Sequence, residues 1–154
     1  MIRNMILALL LILSSASLSA QERVNLESLF TQNLGILKGE NVTQVHLSGN
    51  KIASYKLTLF KSLTLKPTKE TYQFIESLVE AEIEAEKATC HEMSRKNDQL
   101  YHGLYQLPSK EKGIHRYIFY RNNALTEKSD SLLTLIYMEG SATIQQLQKT
   151  FRKP

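Results

Sequence analysis

Over the last third of the chain the hydrophobic pattern changes period. His115 to Arg121 alternates, with Tyr117 and Phe119 on one side and Arg116, Ile118 and Tyr120 on the other, which predicts a strand with one wetter side. Leu132 to Met138 is apolar on both faces apart from Thr134, so this strand is expected at the centre of a sheet with the first beside it. After Gly140, either Ser141 or Thr143 can cap a helix, the latter with Gln146 at its third position. Ile144, Leu147 and Phe151 then share one stripe, and the helix can fold back over the sheet.

The upstream pattern supplies the remaining elements. Asn25 can cap a short helix presenting Leu26, Leu29 and Phe30, ended by Gly35 or Gly39. Val42 to Ser48 alternates before the Gly49 and Asn50 turn and reads as a strand. Tyr55 to Leu65 keeps a period of two interrupted at Lys61 and Ser62, which reads as a broken strand, with a short helix using Ile52, Leu59 and Leu63 as the alternative. Thr68 can cap a long helix whose stripe is Tyr72, Ile75, Leu78, Val79, Ile83 and Ala88, ending between Thr89 and Lys96. A polar segment then leads to a strand from Tyr101 to Leu107, and Pro108 to Gly113 makes a hairpin connection.

The first twenty residues add an address. Arg3, an unbroken apolar run from Met5 to Leu13 and small residues from Ser14 to Ala20 form the three-part pattern of a secretory signal, and the run is too short for the roughly 20 residues of a membrane-spanning helix. Cleavage is expected after Ala16 or Ala20, leaving no integral membrane span and a single α+β domain over residues 21–154. Such a protein would work in the periplasm or at the cell surface. Without Arg3 the charge stands at 18 Lys and Arg against 15 Asp and Glu, scattered along the chain, which argues against nucleic acid as a partner. Cys90 is the only cysteine, so no internal disulfide can form and the fold must stand on its core.

Candidate chemistry is sparse. Glu76, Glu80 and Glu84 recur on the expected solvent face of the long helix, while Glu82 and Glu86 sit nearer its apolar stripe. Cys90, His91 and Glu92 are adjacent, and successive helical residues point about 100° apart, so they cannot converge on one metal without help from elsewhere. Cys90 is expected as a buried small hydrophobe. With Leu107 opposite His115, His102 and His115 fall on opposite faces of the sheet, and only a one-residue slip would unite them. No nucleophile elbow, phosphate loop, zinc-protease or dinucleotide motif occurs, so no catalytic residue, metal site or cofactor is assigned. The enriched feature is tyrosine: five of seven lie between residues 101 and 137. If Tyr105, Tyr117 and Phe119 face the long helix, Arg116, Ile118, Tyr120 and His102 make a mixed face left partly open, which is the kind of surface that binds another protein.

The order of an initial helix, VTQVHLSG, a long amphipathic helix, GIHRYIFYRN, LTLIYMEG and ATIQQLQKTF resembles small exported domains of unknown function from Gram-negative gut-type bacteria, over residues 24–151. The resemblance implies fold and address and carries no functional residue across. The resulting expectation is an α+β fold, a mostly antiparallel sheet with helices packed on one face. Its expected role is that of an exported, non-catalytic interaction or structural module whose partner is another envelope protein. The alternatives are a hydrolase-type enzyme with a site assembled from distant residues and a carrier of a small apolar ligand.

Overall fold

The computed structural model describes residues 24–31, 35, 37, 39–126 and 131–151. The expected signal segment, residues 1–20, lies outside them. The chain begins with a single helical turn, α1 (Ser28–Thr31), closed by Ser28 N–H donating to Asn25 Oδ1 at 3.0 Å. A hairpin follows, β1 (Gly39–Ser48) and β2 (Leu57–Pro67), joined by two short 3-10 turns and reversed by Lys56 in the left-handed region at φ 57°. β2 is continuous: Lys61 and Ser62 are buried members of the strand and not a break in it, and the helical alternative for this stretch is not adopted.

The helix α2 (Lys69–Ala85) starts where Thr68 Oγ1 accepts from Thr71 N–H at 3.2 Å. Its stripe buries Ile75 and Val79, with Tyr72, Leu78 and Ile83 packed alongside. It stops well before Cys90. The stretch expected as helix end and polar linker is instead a strand, β3 (Thr89–Lys96), paired with β4 (Gln99–Leu107) across a tight turn in which Asn97 and Asp98 take φ of 50° and 61°. Two consecutive positive φ values are what a type I′ hairpin requires, and Asn and Asp tolerate them well. Cys90 is therefore exposed on an edge strand, contrary to its expected burial.

β5 (His115–Asn122) and β6 (Leu133–Gly140) complete a six-stranded sheet of order β1-β2-β6-β5-β4-β3, with every pairing antiparallel. β6 lies in the interior of the sheet, as its two-sided apolar pattern predicts, and β5 flanks it. The α+β class is as expected, but the helices do not share one face. α1 and α2 pack with Leu63, Leu135, Tyr105, Ile118 and Tyr120 on the first face. The last helix, α3 (Ile144–Phe151), packs with Tyr117, Ile136 and Met138 on the second.

That division corrects the expected register. Leu107 pairs with Arg116 and not His115, so Tyr105 pairs with Ile118 and Leu104 with Phe119. Tyr105 shares the long-helix face with Ile118 and Tyr120, while Tyr117 and Phe119 belong to the other side. Side chains alternate strictly along a strand, so one residue of slip exchanges the two faces of the partner. The slip also brings His102 and His115 to the same face, but His102 pairs with Arg121, six positions from His115, or roughly 20 Å along the strand. They cannot share a metal ion.

Candidate functional site

Two features stand out from the framework: a charged cleft beside the end of α2 and an apolar groove beside α3. The cleft is centred on Arg116, whose side chain points to the first face and is 5% exposed. Its Nε donates to Tyr137 Oη at 2.9 Å and its Nη1 to Pro108 O at 3.1 Å. Nη1 also lies 3.5 Å from Glu86, and Nε 4.0 Å from Glu139. Tyr137 passes the chain on, donating to the Glu139 carboxylate. Burial opposes the charge on Arg116, yet the hydrogen bond to Tyr137 and the Glu86 carboxylate leave its pKa above the usual guanidinium value. Burial, with the Glu139 hydrogen bond adding to it, pushes the Tyr137 hydroxyl up to about 12.

A cavity of about 330 Å³ opens over this cluster, bringing Glu27, Glu82, Glu86 and Glu139 near Lys61, Lys110 and Arg116. Glu82 and Glu86, the pair singled out near the helix stripe, both line it. Several of these charges are paired within the cleft: Lys61 with Glu27, and Arg116 with Glu86 and Glu139. Glu76, expected in solvent, is buried and accepts from Leu100 N–H at 2.8 Å and Arg95 Nη1 at 3.3 Å, fixing α2 to the β3–β4 hairpin. Glu80 pairs with the same arginine, and the ion pair raises the Arg95 pKa.

The four residues expected to form one open contact face are separated. Ile118 and Tyr120 are fully buried beneath α2 and Arg116 is nearly so, while His102 lies on the second face. There it sits 3.0 Å from Glu92 and edge-on to Phe119. Glu92 also accepts from Gln148 of α3 at 2.6 Å, so this histidine belongs to the fastening of α3. Tyr120 Oη and Asn122 Nδ2 are both buried with no hydrogen bond among the described residues. Burial raises the Tyr120 pKa and the Glu76 charge adds to it, while the neighbouring Asn122 side chain pulls the other way without a hydrogen bond of good geometry.

On the second face α3 is placed by a reciprocal cap, Thr143 N–H to Gln146 Oε1 at 3.0 Å and Gln146 N–H to Thr143 Oγ1 at 3.3 Å. Two further bonds hold its approach: Tyr117 Oη donates to Ala142 O at 2.9 Å, and Ala142 N–H to Lys56 O at 3.1 Å. The corner is tight. A Cβ on Gly140 would stand 2.2 Å from Lys56 O, so only glycine fits. α3 spans eight residues, leaving a groove of about 340 Å³ against the β1–β2 hairpin. Leu47, Leu57 and Phe60 come from the strands, Tyr55 from the second 3-10 turn and Ile52 from between the two turns, and Leu147 and Thr150 from α3. A smaller, polar recess of about 220 Å³ shares Tyr55 and Thr150 with it and carries Lys56 and Lys149.

A family model described as Family of unknown function (DUF6108) matches residues 13–151. The chain belongs to this family. The DUF6108 match takes in every described element, and with them both the Arg116 cleft and the groove. No curated protein and no solved structure matches the chain. Among the described residues of this DUF6108 chain, no helix is long and apolar enough to cross a membrane. Sequence reasoning named Arg116 without its partners and passed over the groove, although the cap that seats α3 was legible in Thr143 and Gln146. A signal for the groove was present in Ile52 and Tyr55, apolar and aromatic residues stranded in a turn.

Proposed function

We propose that the protein is an exported, non-catalytic interaction module of a Gram-negative envelope, working in the periplasm or at the cell surface, and that its partner is another envelope protein received in the groove beside α3. The address rests on the three-part leader pattern of residues 1–20. The contact rests on one observation, an apolar groove with Tyr55 standing 57% exposed on its rim. Tyrosine contributes contact area and a hydrogen-bonding end at small entropic cost, which is why interfaces are enriched in it. The groove is open along one side, so it suits the side chains of a docked protein better than a ligand that must be enclosed. The Arg116 cleft supports a structural reading over a hydrolytic one, because its buried cation is held by Tyr137, Glu86 and Glu139 together.

Photo-crosslinking in cells tests the reading. A benzoylphenylalanine at Thr150 should give a discrete adduct with an envelope protein, and Tyr55→Asp should abolish it while leaving the melting curve unchanged. The same probe at Gln73, on the solvent side of α2, should not give that adduct. Equal adducts from both positions, or an adduct indifferent to Tyr55→Asp, would overturn the assignment.

A further inference from the structure

Among the described residues, the rim of the groove carries one sign of charge. Lys56 and Lys149 line the polar recess that continues it, and exposed Lys51 precedes the groove residue Ile52. Among the described residues, neither lining includes a carboxylate, and Lys51, Lys56 and Lys149 form no ion pair. Exposed carboxylates gather elsewhere: Glu70, Glu80 and Glu84 lie on α2, across the sheet. Lys149 alone would carry little weight, because a cation in the last turn of α3 also offsets the helix dipole. Lys56 has no such role. It is a non-glycine residue held at φ 57°, its carbonyl bonded to Ala142 N–H, so the base of this cation is fixed at the mouth of the groove.

We infer that the groove takes an extended or helical segment of a protein partner in which apolar side chains are flanked by Asp or Glu: the apolar groups enter between Leu57, Phe60 and Leu147, and the carboxylates meet Lys56 and Lys149. This rests on the docking role proposed above and adds the chemistry of the partner. The division of labour is that of a core and rim. The apolar contact gives affinity, while the exposed charges set orientation and choice of partner and are screened by salt.

Selection from a random dodecapeptide display library on the immobilised protein, with the Tyr55→Asp variant as counter-target, tests both layers. Enriched peptides should share apolar residues next to Asp or Glu. A synthetic copy of the leading peptide should bind roughly tenfold more weakly to the Lys56→Glu, Lys149→Glu double variant, by fluorescence polarisation, and more weakly as salt rises. Both lysines are exposed, and an unchanged melting temperature of the double variant confirms that the loss is local. If Asp and Glu in the peptide can become Asn and Gln with no loss, the docking groove stands and the acidic requirement fails. If no peptide is enriched over the counter-target, both fail. If sodium dodecanoate displaces the selected peptide through the same lysines but the variants do not discriminate among peptides, the site is one for anionic amphiphiles and the inference of a protein segment is overturned.

Discussion

At the scale of single residues, burial decides what the polar groups can do. Arg116 tolerates the interior because four partners reach it from different parts of the chain, Glu86 past the end of α2, Pro108 in a loop, and Tyr137 and Glu139 on β6. A sequence cannot announce such a cation, since each partner is unremarkable alone and only the β4–β5 and β5–β6 registers bring them together. Tyr120 presents the opposite case. Its hydroxyl lies at 0% exposure with no hydrogen bond among the described residues, and a buried unpaired hydroxyl costs roughly 1–3 kcal/mol. Tyr120→Phe removes that cost and keeps the ring, so the variant should be at least as stable as the natural protein, with a melting temperature raised by about 2–4 °C for each kcal/mol recovered in a chain of this size. Tyr137→Phe should fall instead, because it strips a hydrogen bond from Arg116 and another from Glu139. Calorimetric melts of the two variants side by side check this, and a drop of several degrees in Tyr120→Phe would show that its hydroxyl has a partner in solution.

At the scale of elements, what was legible followed from periodicity, and what was missed lacked it. β5 and β6 declared themselves by alternation and by a two-sided apolar run, α2 by its stripe and cap, and α3 by Thr143 with Gln146. β3 has no apolar alternation because it is an edge strand exposed on nearly every residue, and only the Asn97 and Asp98 turn betrayed it. Its ladder shifts register at Cys90/Glu92 and at Ser94/Arg95, and β1 shifts between Glu40 and Thr43, irregularities that discourage further strands from adding to either edge. The choice of faces was not legible either. It turned on a one-residue difference across the Pro108 to Ile114 loop, which hydrophobicity could not settle because both faces of β5 carry large apolar groups. Ile136 probes this arrangement. It pairs with Ser62 and Phe119, sits 8% exposed in the core under α3, and packs in an apolar cluster with Tyr117 and Met138. Ile136→Asp adds an unpaired charge to lost packing, several kcal/mol against a total of about 5–15, and should abolish the cooperative thermal transition. A melting temperature within about 3 °C of the natural protein would mean that α3 does not cover β6 in solution.

At the scale of the whole molecule, the sheet is closed by contacts distant in sequence. β2 meets β6 only after α2 has carried the chain to the far edge and the β3–β6 meander has returned it, with Leu57 paired to Gly140 and Leu65 to Leu133. The N-terminal turn is tied into this framework by Leu26, Leu29 and Phe30 in the first-face core, by Gln44 Nε2 donating to Leu29 O at 2.6 Å, and by the Lys61–Glu27 pair. The described core thus begins at Leu26, beyond both expected cleavage positions, so removal of the leader would take nothing from it. Export then has a definite expected product. The mature chain should begin between Ser17 and Gln21, since the small residues before the cut are what signal peptidases recognise and the apolar run is too short to remain as an anchor of roughly 20 residues. Intact-mass measurement on protein recovered from the envelope fraction of cells making the full chain decides it. A single species lacking the first 16 to 20 residues, folding and melting like the same protein made without residues 1–20, is the expected result. A species that keeps Met1 and stays with the inner membrane would end the export reading, and with it the choice of an envelope protein as the partner for the groove.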